Sequence, residues 1–153
     1  MSIEATLKEL GIDLPPPVAP VANYIPFVVT GNLVSISGQL PIKDGEIAYT
    51  GKVEEAVSIE EAGVAARLCG INLISQMKAA CGGDLNRVKR VLKLGAFVNC
   101  KEGFGGQPQI INATSDLMVA VFGEKGRHSR SAVGTNALPR NVPVEIDALI
   151  EIE

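Results

Sequence analysis

Residues 58–83, SIEEAGVAARLCGINLISQMKAACGG, limit the possible folds more than any other stretch, because their pattern fits one long amphipathic helix. Ser58 and Glu61 have the S-x-x-E spacing of a capping box, which satisfies free N–H groups at a helix start. Gly82 and Gly83 are expected to end the helix. Apolar side chains recur at helical spacing, at Ala62, Ala65, Cys69, Leu73, Met77 and Ala80. We therefore predict that this side of the helix lies in the core and is not a cofactor surface.

The C-terminal residues 142–153, VPVEIDALIEIE, have the two-residue alternation of a half-buried β-strand. One face would present Val144, Ile146, Ala148 and Ile150, and the other would present Glu145, Asp147 and Leu149. The strand is thus expected to place its aliphatic side chains in the core and a mixture of acidic and apolar side chains on the opposite side.

The remaining elements follow from local composition. A β-hairpin is expected where two β-rich runs flank the turn signal Gly31-Asn32. The expected elements are hairpin strands at Phe27–Thr30 and Leu33–Ser37, a polar loop at 42–53, a strand within 87–100, a helix within 109–126 and a strand at 131–138. Together they predict an α+β domain, a mixed sheet with two helices packed on one face. The uncovered face would be partly apolar, which favours self-association.

The first 19 residues are predicted to form an N-terminal segment that packs on the surface of the main domain. Ile3, Leu7 and Leu10 fall on one stripe of a short helix, and Gly11 would end it. Prolines in the following stretch prevent a helix from continuing, so an extended connector is expected there. We predict an N-terminal helix and proline-rich connector at 1–19 and a single domain at 20–153.

Composition excludes some classes of function. The chain has 153 residues, a net charge of -3, and only two Tyr, four Phe and no Trp. Few aromatic side chains and mild acidity argue against a nucleic-acid partner on chemical grounds. Three widely spaced cysteines indicate reduced thiols in a cytoplasmic protein. Neither a signal peptide nor a membrane span is expected.

Motifs for several catalytic chemistries are missing from the sequence. The chain has no phosphate-loop motif and no GxSxG elbow. His128, in GRHSRSAVG, is the only histidine, so a metal site or a serine–histidine mechanism is not expected. The stretch GFGGQP at 103–108 is interpreted as a flexible turn. We expect neither a metal nor a cofactor.

Four polar residues at structured places are the remaining candidates: Arg130 before a strand, Glu145 inside the last strand, Asn112 at a helix start and Tyr24 after the proline connector. Each alone has a structural interpretation. Asn112 could cap its helix, Tyr24 could pack as an aromatic, and Arg130 and Glu145 could be solvated charges.

The order of these residues is similar to that of the Rid/YjgF family of imine and enamine deaminases, also described as endoribonuclease-like. The resemblance rests on NYIPFVVTGNLVSISGQLP, INATSDLMVAVFG and SRSAVGTNALPRNVPVEIDALIEI. The fifteen-residue separation of Arg130 and Glu145 matches the family pattern. The family's usual cysteine two residues after the arginine is replaced here by Ala132, and the loop at 101–110 is longer than usual. Both features resemble the longer branch of the family.

The resemblance implies a chorismate-mutase-like fold and a homotrimer with sites between subunits. Arg130 would bind a substrate carboxylate, and Glu145 would orient or activate a water. The implied substrate-binding residues are Tyr24, Ser37, Gly38, Phe104, Asn112 and Ala132. Arg127 and His128 would lie at the mouth of the cleft or on the surface.

Three functions remain open at this stage. The first is deamination of 2-aminoacrylate-type enamines, through their imines, to 2-keto acids and ammonia. An imine is already electrophilic, so positioning and acid–base help can suffice. The second is a non-enzymatic trimer that binds small carboxylates or keto acids. The third is an endoribonuclease, which the charge and the low aromatic content disfavour.

Overall fold

The computed structural model of the protein describes residues 1–20 and 22–153. Its regular elements, in chain order, are α1 (Ile3–Glu9), β1 (Phe27–Thr30), β2 (Leu33–Gln39), β3 (Ile42–Lys43), β4 (Glu46–Ile47), α2 (Ile59–Ala80), β5 (Val88–Asn99), α3 (Gln107–Phe122), β6 (Ser129–Thr135) and β7 (Val144–Ile152). Five strands form one sheet in the order β1-β2-β7-β5-β6. The β5–β6 pair is parallel and the other pairs are antiparallel, so the predicted mixed sheet is confirmed.

Helices α2 and α3 pack against each other and against the same face of the sheet. The capping box of α2 forms as predicted, since Ser58 Oγ accepts from the N–H of Glu61 and the Glu61 carboxylate accepts from the N–H of Ser58. Most of the predicted α2 stripe is fully buried, and Ala80 is half-buried against the core. In β7, buried residues alternate with half-buried ones along the whole strand. The predicted α+β architecture with two helices on one face is therefore confirmed.

The face of the sheet away from the helices, called the open face below, has no cover in the described residues. Val28, Leu33, Phe97 and Val133 are exposed there, and Leu149 is half-buried. Strand pairing fixes this arrangement, because Phe97 pairs with both Glu145 and Val133, and Leu33 pairs with Glu151. The partly apolar open face predicted from the alternation of β7 is present.

Three local predictions were wrong. Helix α3 begins at Gln107, with Pro108 in its first turn, so Asn112 lies inside the helix and cannot cap it. Arg130 lies within β6 instead of before it. The stretch predicted as a polar loop contains the small hairpin β3–β4, whose turn residues Asp44 and Gly45 both have positive φ. That conformation is the one that Asp-Gly favours in two-residue hairpins.

The N-terminal residues contact the same core as the rest of the chain. Leu7 and Ile12 are buried in it. The connector is held by α2, because Ser75 Oγ donates to the carbonyl of Pro15 at 2.6 Å and Gln76 Nε2 donates to the carbonyl of Val18 at 2.9 Å. The boundary after residue 19 stays a prediction.

None of the helices in residues 1–20 and 22–153 is long and apolar enough to cross a membrane. Cys69, Cys81 and Cys100 are buried and unpaired.

Candidate functional site

Arg130 lies on the helix-covered face, at the exposed edge of the sheet. It pairs in register with the buried Leu94, and β6 has a neighbour on only one side. Its guanidinium is fixed at two points on α3. Nη1 donates to Ser115 Oγ at 3.1 Å, and Nη2 donates to the carbonyl of Pro108 at 3.3 Å. These contacts hold a half-buried cation against α3.

The guanidinium of Arg130 keeps most of its hydrogen-bonding capacity. It has five N–H groups, and two of them are used by Ser115 and Pro108. Among the described residues, no carboxylate forms an ion pair with it. Three N–H groups therefore remain for a planar anion, which is enough for a two-point contact with a carboxylate.

Glu145 lies on the open face, between the buried Val144 and Ile146 of β7. Its carboxylate covers Gly38 of β2. A Cβ at position 38 would lie 2.9 Å from Cδ of Glu145, which is closer than carbon atoms pack. The Glu145 carboxylate therefore occupies the space that a side chain at position 38 would need.

The acidity of Glu145 is altered by its surroundings. Burial, and secondly the neighbouring charge of Asp147, raise the pKa of the Glu145 carboxyl. Burial also raises the pKa of Asp147, while a hydrogen bond from the Gly95 N–H and the charge of Lys93 act against that rise. A raised pKa brings proton exchange by Glu145 closer to neutral pH, as a general base requires.

Arg130 and Glu145 are not brought together within one chain. The Arg130 side chain contacts α3 on the covered face, whereas Glu145 alternates with the core residues and points to the open face. Fifteen residues separate them in sequence, and the sheet itself separates their side chains. A site using both residues needs more than one copy of the chain.

Tyr24, Ser37 and Gly38 do lie together. They line a pocket of about 100 Å³ beside Pro26 and Arg140. Ser37 Oγ donates to the carbonyl of Ile25 at 2.9 Å, which holds the turn before β1 against β2. Since Gly38 also contacts Glu145, this pocket and the Glu145 carboxylate belong to the same side of the molecule.

Arg140 was not among the predicted site residues. It lies in the Pro139–Asn141 turn, where Arg140 and Asn141 both have φ of 56°. Residues other than glycine rarely adopt this conformation, and it costs energy wherever it occurs. No signal in the sequence beyond Leu138-Pro139 marks the turn, and nothing there reveals that Arg140 lines the Tyr24 pocket.

Of the other predicted residues, Ala132 and Asn112 lie on the same side as Arg130, and Phe104 lies in a separate cleft. Ala132 is half-buried on the same face of β6, two residues after Arg130. Asn112 is exposed, and its spacing from Pro108 and Ser115 places it on the same side of α3 as the two Arg130 contacts. Phe104 lines a separate cleft of about 600 Å³ with Lys52 and Gln107, and its ring packs over Gly106.

Ser115 and His128 are two polar residues beside the site whose contacts the sequence did not predict. Ser115 Oγ lies 2.9 Å from His128 Nε2, and His128 Nδ1 lies 2.6 Å from the carbonyl of Gly126. His128 is therefore half-buried in a network that reaches Arg130. Within the described residues, no group of three or more His, Cys, Asp and Glu side chains could hold a metal ion.

Comparison with known proteins places the chain among relatives of the same length and shape. A family model described as "YjgF/chorismate_mutase-like, putative endoribonuclease" matches residues 4–151. Protein TCP17 of Trypanosoma cruzi is 46% identical over 151 residues, which cover 98% of this chain and 94% of that protein.

Two solved structures are similar over nearly the whole chain. Atu1372 from Agrobacterium tumefaciens, a protein of unknown function, is 49% identical with a TM-score of 0.93, and the match covers 99% of this chain and 92% of that one. A "putative endoribonuclease" from Shewanella oneidensis MR-1 is 32% identical with a TM-score of 0.95, covering 99% of this chain and 100% of that one. These matches confirm the predicted fold class.

Proposed function

Because the chain belongs to the YjgF/chorismate-mutase-like family, which includes the Rid proteins, we propose that it hydrolyses small 2-imino acids. The substrates are 2-aminoacrylate-type enamines in their imine form, and the products are 2-keto acids and ammonia. The observation that carries this proposal is the state of Arg130. It is a half-buried guanidinium fixed at two points, with N–H groups left for a carboxylate.

The reaction balances with water as the only co-reactant. The enamine takes a proton at its terminal carbon and becomes the protonated imine, with a C=NH2+ group. Water adds to the imine carbon, the C=N π electrons move to nitrogen, one water proton passes to Glu145, and a neutral carbinolamine with one new C–O bond forms. Glu145 returns that proton to nitrogen, the C–N bond breaks, ammonia leaves with its bonding electron pair, and the hydroxyl group releases its proton as the ketone forms, which replaces the proton taken up at the start. Arg130 holds the substrate carboxylate throughout, which fixes the imine carbon relative to the water.

The active assembly in this proposal is a homotrimer with sites between subunits. Arg130 lies at the free edge strand β6, and Glu145 lies on the open face with the Tyr24 pocket nearby. Packing the β6 edge of one copy against the open face of the next would bring the two residues together. The same packing would bury the exposed Val28, Leu33, Phe97 and Val133, which favours association.

A second candidate is a trimeric binding module for small carboxylates or keto acids. One observation favours it over the enzyme. The residue beside Arg130 on the same face is Ala132, whose methyl group can neither donate a proton nor act as a nucleophile. Such a site would keep the carboxylate contact and lack the chemistry. An endoribonuclease stays disfavoured by the net charge of -3 and the six aromatic residues.

The cellular location belongs to the proposal as well. We place the protein in the cytoplasm, because its three cysteines are free thiols and reducing compartments keep thiols unpaired.

The direct test generates 2-iminopropionate in situ and follows pyruvate and ammonia with wild type and Arg130→Ala. We expect wild type to accelerate hydrolysis and Arg130→Ala to lose about 100-fold or more in kcat/KM, since a charged, two-point contact is removed. Arg67→Ala is the matched control, because Arg67 is an exposed arginine on the outer side of α2. Equal rates for wild type and Arg130→Ala would remove the proposed function. Pyruvate binding without turnover would instead favour the binding module.

A further inference from the structure

His128, the only histidine of the chain, has a different partner at each ring nitrogen. Nδ1 lies 2.6 Å from the carbonyl oxygen of Gly126, and Nε2 lies 2.9 Å from Ser115 Oγ. A carbonyl oxygen can only accept a hydrogen bond, so Nδ1 must be the protonated nitrogen. In the neutral ring, Nε2 is then an acceptor, and the hydroxyl of Ser115 donates to it.

This assignment fixes the direction of the next hydrogen bond. Ser115 uses its single proton for His128, so its oxygen presents lone pairs to other donors. Arg130 Nη1 donates to that oxygen at 3.1 Å. The chain of bonds therefore runs in one direction, from Arg130 to Ser115, to His128 and to the Gly126 carbonyl. Hydrogen bonds aligned in this way polarise and strengthen one another.

The same geometry argues against His128 as a base for the reaction. Both of its ring nitrogens already have protein partners, so neither is free to take a proton from water. His128 therefore affects the reaction only by orienting the guanidinium of Arg130. Pro108 holds one terminal nitrogen of the guanidinium, and the Ser115–His128 pair holds the other.

We propose that Ser115 and His128 are positioning residues, which set the plane of the Arg130 guanidinium for a two-point contact with the substrate carboxylate. The proposal rests on the proposed function only in that Arg130 binds a carboxylate. It applies equally to an enzyme and to a binding module. A planar guanidinium that can rotate loses part of the advantage of two parallel bonds.

The test measures pyruvate affinity by calorimetry and, where turnover is seen, kcat and KM for 2-iminopropionate. Ser115→Ala removes the acceptor for Nη1, and His128→Phe keeps a ring without its nitrogens. Each is expected to weaken pyruvate binding about 3- to 10-fold, the range for the loss of one ordinary hydrogen bond, because the lost contact acts on the carboxylate only through Arg130. The same factor should appear in KM, with kcat nearly unchanged.

Conservative variants separate positioning from general structural damage. Ser115→Thr keeps the hydroxyl, and His128→Gln can offer an amide oxygen near the Nε2 position. Both should restore most of the affinity. Because Ser115 and His128 act through one contact, the double variant Ser115→Ala/His128→Phe should bind no more weakly than Ser115→Ala alone. Thermal unfolding of every variant checks that it is folded, and Arg67→Ala is the surface control.

Wild-type affinity in folded Ser115→Ala and His128→Phe, with a loss in Arg130→Ala, would overturn this proposal and leave the proposed function intact. Additive losses in the double variant would also overturn it. If Arg130→Ala itself binds pyruvate as wild type does, the proposed function fails, and the role of Ser115 and His128 fails with it.

Discussion

The two faces of the sheet differ in how much of their surface is covered by other parts of the same chain. On the covered face, α2 and α3 bury the aliphatic side chains of β7, and Arg130 is held by contacts on α3. On the open face, Val133 and Phe97 are exposed, and two neighbouring carboxyls have raised pKa values. One chain thus covers only one face of the sheet, and each face holds one of the two main candidate site residues.

The largest expected effect comes from a charge placed on the open face. In the proposed trimer, Val133→Asp would bury a carboxylate between copies of the chain, which is costly unless the charge is paired, so we expect the trimer to dissociate and its activity to disappear. Light scattering after gel filtration measures the change in mass. Val64→Asp is the matched control, because Val64 is 50% exposed and Val133 is 46% exposed, but Val64 lies on α2. Unchanged mass for Val133→Asp would contradict the role of the open face.

The next largest effect is expected from a substitution at Gly38, which should reduce activity without reducing stability. A methyl group there would meet the Cδ atom of Glu145 at 2.9 Å, and the flexible carboxylate can move away at little cost. Gly38→Ala is therefore expected to keep its unfolding temperature while losing about 10-fold or more in kcat/KM, since small displacements of a catalytic group are costly.

Gly63→Ala supplies the comparison for Gly38→Ala. Gly63 lies in α2, and a methyl group there meets no atom within 4 Å. Activity should stay at the wild-type level, with stability raised by about 0.5–1 kcal/mol. If Gly38→Ala is fully active, the Glu145 carboxylate does not need its observed position.

The smallest effect is a shift of the pH profile. In the proposed reaction Glu145 must be ionised to accept a proton, so activity is expected to fall as pH drops through its pKa. Burial and Asp147 raise that pKa. Asp147→Asn removes the second cause, lowers the pKa, and should move the acid limb of kcat/KM to lower pH.

Glu151→Gln is the control for the pH profile, because Glu151 lies on the same strand face but pairs with Lys89 at 3.0 Å. Its acid limb should match that of wild type. If the acid limb of the kcat/KM profile does not move in Asp147→Asn, a group other than Glu145 determines its position.

Local patterns in the sequence were sufficient for most of the fold. The capping box of α2, the hairpin turn at Gly31-Asn32 and the alternation of β7 each depend on neighbouring residues, and all three form as predicted. Two errors also had readable signals. Pro108 marks the first turn of α3, and Asp44-Gly45 is a common hairpin turn.

The site was less predictable, because its geometry depends on contacts distant in sequence. Spacing alone does not reveal that Arg130 and Glu145 lie on opposite faces, since they belong to strands that are not adjacent. The contact of Gly38 with Glu145 joins residues more than one hundred positions apart. Ser115 and His128 meet only because α3 and β6 pack together, so their link to Arg130 required the structure.

The most direct test of the central claim mixes two inactive proteins. Arg130→Ala and Glu145→Gln would each lack one half of every site, and copies can be exchanged by co-expression or by dissociation and reassembly. If each site takes its arginine from one chain and its glutamate from the next, random equal mixing should restore about one quarter of wild-type activity. A mixture as inactive as its two components would contradict a site shared between subunits.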